Sequence, residues 1–337
     1  REAIRMGPTA GAIKLWIFLA INLAVSAWCY ALLILNRPWR GLTRLDKREH
    51  AELHRKVNWI AGLMRAPKVR EIYISTEFNA SVASAFTLIP GLRKNVLILG
   101  YPLLCAMSSK GLIGCLAHEL GHLSGNHLSW RGVFFHVGAF WSAFNLGIFT
   151  WLFHWWRVRF LKALDKTVHP LYRRHEIEAD RSIVEKFGAD HAAECLLQLE
   201  TRGALASKDK SVWFLLANNE TEDINFAEAV RGVVRRPLSP EECSRMVGRA
   251  LRNMPPIFDE HPPLRERLER TGAGDYERHA SARPDALEKI VGSSREFFDA
   301  VNGQYRAELG PSRAEVRAIR EEAESLLADF NPAGNLA

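Results

Sequence analysis

Cysteine is scarce and badly spaced for bridges or clusters. The five present (Cys29, Cys105, Cys115, Cys195, Cys243) are an odd number, and no two stand in a CxxC spacing. A disulfide framework and a cysteine-built zinc site are both disfavoured, and a reducing compartment suits the chain best. Internal repeats and low-complexity tracts are also missing. Apolar residues are not: 47% hydrophobic against 25% charged excludes wholesale disorder, and 337 residues suffice for one large or two modest units. The charge in deficit is negative, with 38 Asp and Glu against 45 Lys and Arg, a net +7. Such a balance fits nucleic acid or an anionic membrane. The basic residues cluster beside hydrophobic stretches, so membrane lipid is the expected partner and nucleic acid is not.

One uncharged run stands out. Leu15 to Leu35 reads LWIFLAINLAVSAWCYALLIL. As a helix it would extend about 31 Å at ~1.5 Å per residue, one bilayer core. Lys14 and Arg37 bracket it, and Trp16 and Trp39 lie near its ends as interfacial anchors. Arg37, Arg40, Arg44, Lys47, Arg48, Arg55 and Lys56 follow it, against Arg1, Arg5 and Lys14 before it, so the positive-inside rule places the downstream portion in the cytoplasm. The expected organisation is a membrane anchor over 1–40, a catalytic domain over 41–272, and a helical extension over 273–337.

From Asp46 to Met64 the apolar residues Leu53, Val57, Ile60, Ala61 and Met64 recur on one helical face. Val69–Ser75, Asn79–Phe86 and Val96–Leu99 read as strands, predicting a small antiparallel sheet. Ser109 reads as the cap of an apolar helix. Val133 to Trp156 is a second hydrophobic stretch, interrupted by His136, Gly138, Asn145, Gly147 and His154. The rest is mostly helical, and Ser312 with Glu315 forms a capping box. The fold class is mainly α with a small sheet.

The chemistry lies in His118-Glu119-Leu120-Gly121-His122. Residues four apart share one helical face, so both imidazoles can reach one ion. Zinc accepts such nitrogens, and Glu119, rotated off the ligand stripe, can take a proton from water at the open position. A third ligand is needed. His127 is rotated away from the ligand face, and the longer HExxHxxGxxH pattern is absent. In Arg174-His175-Glu176-Ile177-Glu178-Ala179-Asp180 the residues Glu176 and Asp180 share a face. Glu176 is the candidate ligand and Asp180 the acceptor for a ligand imidazole. Glu178 is a weaker competitor.

HELGHLSGNH, HEIEADRS and DEHPPLRERLERTG, in that order, resemble the HtpX-like and CAAX-prenyl-protease-like membrane-associated zinc metallopeptidases, as do NASVASAF and KNVLILGYPLL before them. The resemblance runs from about Asp46 to about Gly272. It implies a zincin-like core, endopeptidase activity on proteins or peptides, and one zinc ion per chain held by His118, His122 and Glu176 with Glu119 as base. It also implies that His261, with Arg267 beside it, faces the active site, where a cationic or N–H donor would stabilise an oxyanion. Asn79 and Ala80 fall where the family's edge strand pairs with an extended substrate.

A shared metal constrains the second hydrophobic stretch. A single crossing by Val133–Trp156 would put His118 and Glu176 on opposite sides of the bilayer, and about 24 residues are too few for two spans of ~20. It is either a hairpin that dips into the membrane and returns or one buried in the protein. The expected function is a membrane-anchored zinc endopeptidase. The alternative, a scaffold that binds without cleaving, has no use for the intact Glu119.

Overall fold

The computed structural model describes residues 39–86, 93–124, 148–208, 225–253, 261–292 and 294–308. The chain divides into a small unit of 1–40 with 84–94 and a large one of 41–83 with 95–337. Of the small unit only Trp39, Arg40 and the outer ends of two strands are described. Leu15–Leu35, the capping box at Ser312 and residues 133–147 lie outside the described residues. Among those described, no helix is long and apolar enough to cross a membrane.

The large unit opens with β1 (Thr43–Leu45), α1 (Ala51–Leu63) and β2 (Glu71–Ser75), followed by β3 (Ala80–Phe86) and β4 (Arg93–Gly100). Helix α1 buries the face read from its periodicity: Leu53, Val57, Ile60, Ala61 and Met64 are all in the core. The sheet order is β1-β2-β4-β3. β1 runs antiparallel to β2, Thr43 opposite Ile74, but β2 and β4 are parallel, with Ile72 opposite Leu97 and Ile74 opposite Leu99. The sheet is therefore mixed, which corrects the antiparallel expectation. The unbroken apolar run Val96–Leu99 carries the reason: a strand buried on both faces suits the interior of a sheet with a parallel neighbour. β3 is left at an edge.

Helices α2 (Tyr101–Ala106) and α3 (Ser109–Ser124) follow directly. α3 is buried on almost every side, as expected of a helix apolar all round. Its first turn is finished by two neighbours. The Ser108 hydroxyl accepts from Gly111 N at 2.9 Å, making Ser108 rather than Ser109 the capping residue. Asp285 Oδ1 accepts from both Ser109 N (2.7 Å) and Ser109 Oγ (2.6 Å). A carboxylate there also complements the helix dipole.

Next come α4 (Ile148–Phe187) and α5 (Ala189–Lys208). α4 is one helix of 40 residues, about 60 Å long at ~1.5 Å per residue. Its start is the tail of the hydrophobic stretch, and there Trp155 and Trp156 are 67% and 46% exposed. α5 lies so close to α3 that a Cβ on Gly114 would stand 2.4 Å from the His191 carbonyl oxygen. Beyond it are α6 (Phe226–Val234), α7 (Pro240–Arg252), α8 (Leu264–Thr271), α9 (Tyr276–Ala280), a π-helical turn (Leu287–Val291) and α10 (295–308). α10 belongs to the main core. Phe297, Val301 and Tyr305 are buried, and the Tyr305 ring stacks on Phe226 at 5.9 Å. Gln304 Oε1 accepts from Thr43 N at 2.6 Å and so holds β1. A second core joins Ala193, Leu196 and Leu197 of α5 to Val247, Leu264, Leu268 and Ala280. Leu264 and Leu268 share one face of α8, which fixes the direction in which Arg267 leaves it.

Candidate active site

His118 and His122 come from the middle of α3, and Glu176 from the second half of α4. The two helices meet at small residues, where a Cβ on Gly121 would sit 3.6 Å from Ala179 Cβ. That close approach brings the donors together. Glu176 Oε2 is 3.1 Å from His118 Nε2, and Glu176 Oε1 is 3.3 Å from His122 Nε2. The two Nε2 atoms are 3.2 Å apart.

All three side chains are buried, and their donor atoms lie within 4.8 Å of one another. Ligands held ~2.0–2.1 Å from a tetrahedral centre must themselves be about 3.3 Å apart. The observed spacing fits a single ion, and two imidazoles with one carboxylate are a donor set that zinc takes.

The surrounding charges are arranged around these donors. Asp180, one turn after Glu176, places Oδ1 3.1 Å from His118 Nδ1, a close but bent contact. Arg267 holds Asp180 with two bonds, Nε to Oδ2 at 2.7 Å and a terminal nitrogen to Oδ1 at 2.8 Å. The same guanidinium lies 3.8 Å from Glu176 Oε2. Burial alone would lower the pKa of His118, but the Asp180 and Glu176 carboxylates overcome it and raise it to about 10. Burial pushes the Asp180 carboxyl up, but Arg267 and then His118 hold it well below the usual carboxylate range. Glu176 is likewise held low against its burial by the two imidazoles. Arg267, whose burial works the other way, is raised by the two carboxylates.

Glu119 lies half-buried at the rim, one residue after His118. Its Oε2 accepts from Val82 N at 3.3 Å, which puts the carboxylate against the edge strand. Asn79 and Ala80 sit at the entry to that strand. The Asn79 carbonyl accepts from Gly100 N at 2.8 Å, so its main chain faces β4. Alternation along a strand then turns the main-chain groups of Ala80 and Val82 to the open edge. Val82 is the one addition to the sequence reading, and the signal was its two-residue offset from Ala80. His261 stands at the mouth, 56% exposed, with Nε2 3.6 Å from Glu176 Oε2. Glu178, the weaker competitor, instead accepts from Arg174 Nε at 2.8 Å on the exposed side of α4.

A model of peptidase family M48 matches residues 47–272, about two thirds of the chain. The chain belongs to that family. No curated protein and no solved structure matches it. Family M48 members are peptidases, so this chain is a hydrolase whose substrates are proteins or peptides. The match includes all the residues gathered here: Asn79 and Ala80, the two α3 histidines with Glu119, Glu176 with Asp180, and His261 with Arg267.

Proposed function

We propose that the protein is a zinc-dependent endopeptidase that cleaves extended segments of protein substrates near a membrane surface. The observation that carries this reading is the convergence of His118, His122 and Glu176 within 4.8 Å, with Glu119 directly beside them. A zinc ion held by these three would polarise the scissile carbonyl and bring the pKa of a water towards neutrality. Glu119 takes the proton from the attacking water and delivers it to the leaving amine. Val82 N–H steadies its carboxylate at 3.3 Å. The edge of β3 receives the peptide as an added strand, which favours extended backbone over any particular side chain. His261 at the mouth donates to the developing oxyanion.

Nearness to a membrane is supported by the start of α4. Trp155 carries Arg159 over its ring at 4.7 Å, Phe160 stacks on Trp156 at 5.4 Å, and Lys162 and Lys166 are exposed nearby. Aromatic and basic side chains of this kind favour the headgroup layer and anionic lipid. Together with Leu15–Leu35 as an anchor they support a cytoplasm-facing catalytic domain at the cell membrane.

The test is hydrolysis of dye-quenched casein by the purified full chain. Cleavage should disappear with a chelator, return with zinc, and be missing from Glu119→Gln. Metal-independent cleavage, or full activity in that variant, would sink the proposal.

A further inference from the structure

Gly203 lies in the interior of α5, where glycine is the poorest helix former apart from proline. Something other than helix stability accounts for it. A Cβ at position 203 would stand 3.3 Å from both Cδ1 and Cε1 of Phe78, tighter than side chains ordinarily pack. Phe78 lies in the turn between β2 and β3, and its ring rests on bare α5 backbone. The next residue, Asn79, gives its carbonyl to Gly100 N at 2.8 Å. A Cβ on Gly100 would stand 1.8 Å from the Glu77 carbonyl oxygen, so the strand entry is closed in from that side too. Two residues past Phe78 the open edge begins at Ala80, and four past it Val82 N–H meets Glu119. α5 packs against α3, the helix that carries Glu119, so a contact on α5 is referenced to the base.

We propose that Phe78, seated on Gly203, is a positioning residue that sets the distance between the substrate-receiving edge of β3 and Glu119. This rests on the reading that β3 takes the peptide. Two fixed points, the Gly100–Asn79 bond and the Phe78–Gly203 seat, hold the entry of the strand. Lifting the ring by a few tenths of an ångström tilts Ala80 to Val82 away from or along the rim of the site. The metal donors on α3 and α4 do not touch this seat, so the device acts on substrate placement and leaves metal binding alone.

The experiment compares the full-length chain with Gly203→Ala, Phe78→Leu and the double variant on dye-quenched casein. Misplacement of this size should raise KM about 3- to 10-fold in Gly203→Ala, and kcat should fall with it, because Val82 N–H, which steadies the Glu119 carboxylate, moves too. Zinc content should match that of the unaltered chain. Phe78→Leu added to Gly203→Ala should bring KM back, because leucine has no ε carbon and its δ methyls can turn away from the new methyl where a planar ring cannot. Amide hydrogen exchange supplies a readout independent of cleavage. Residues 80–83 should exchange faster in Gly203→Ala, with 110–122 unchanged. Unaltered protection over 80–83, or an unchanged KM, overturns the inference, as does failure of Phe78→Leu to rescue. Failure of the unaltered chain to cleave casein would count against the proposed function, and exchange over 80–83 would still decide this point.

Discussion

Arg267 and Asp180 form a two-bond clamp at 2.7 and 2.8 Å, and Asp180 in turn lies 3.1 Å from His118 Nδ1. The guanidinium thus reaches the metal site through a carboxylate and an imidazole. This geometry separates two roles for Arg267. If it steadies the ligand, Arg267→Gln lowers zinc affinity by about 10- to 100-fold and leaves turnover at saturating zinc within a few-fold. If it instead contacts the oxyanion, zinc affinity survives and kcat falls by about 100- to 1000-fold. The expected outcome is the first. Competition with a chromogenic chelator, alongside rates at saturating zinc, distinguishes them.

Glu119→Gln should keep its metal and lose turnover. None of the three donors is touched, but the proton acceptor is gone, and general-base catalysis contributes roughly 100- to 10,000-fold. Metal analysis of the purified variant should give the same content as the unaltered chain, beside a rate near background. Glu176→Ala is the complement. Loss of the only carboxylate among the three donors should strip the metal, and a full equivalent retained would mean that another residue ligates.

Zinc binding should be coupled to proton release. In the metal-free protein the pKa of His118 is raised from 6.5 to about 10, so at neutral pH its ring carries a proton that must leave before it can ligate. Apparent affinity should therefore climb about tenfold per pH unit from this residue alone between pH 7 and 9, and calorimetry in buffers of different ionisation enthalpy should report the released proton. The effect on the metal-free fold has the opposite sense. Because the folded pKa is raised, the stabilisation from protonated His118 is complete below about 6.5 and is lost as the pH rises towards 10. Asp180 and Glu176 are lowered, so their share is present above the ordinary carboxylate range and is lost on acidification.

Asp285→Ala should destabilise the chain without altering the site directly. It removes the acceptor for Ser109 N and Oγ, and loss of a helix cap costs about 0.5–2 kcal/mol. For a chain of this size that is a fall of about 1–3 °C in melting temperature. Burial raises the Asp285 pKa, but Lys289 and Ser109 lower it further, so the stabilisation holds above the ordinary carboxylate range and disappears on acidification. A melting temperature unchanged at pH 7 would contradict the cap.

The sequence shows what depends on spacing along a single helix. His118 with His122, and Glu176 with Asp180, are each four apart, and the fold brings both pairs to one place. The buried face of α1 was legible for the same reason. Partners far apart in the chain were not. VLIL marks a strand buried on both faces, but it does not name which strand lies beside it, because strand propensity carries no address. Thr43–Leu45 is too short to show a period. Arg267 and Asp180 are 87 positions apart, and their pairing follows from the way Leu264 and Leu268 seat α8. With two adjacent serines at the start of α3, the sequence points to Ser109 as the cap, and the 2.9 Å bond to Gly111 N moves it by one residue to Ser108.

Asp285 stands 176 residues after Ser109, and it lies past residue 272, where the family match ends. At about 5–20 residues per second, a ribosome needs roughly 9–35 s to travel between them. During that interval the helix bearing both histidines and the base is already synthesised but lacks one of its two caps. α10, whose residues reach back to β1 and the core around Tyr101, arrives later still. Once Glu176 has been made, the nascent chain carries all three donors before the fold that orders them is finished. Activity should emerge only after Asp285 and α10 have left the ribosome and closed on α3.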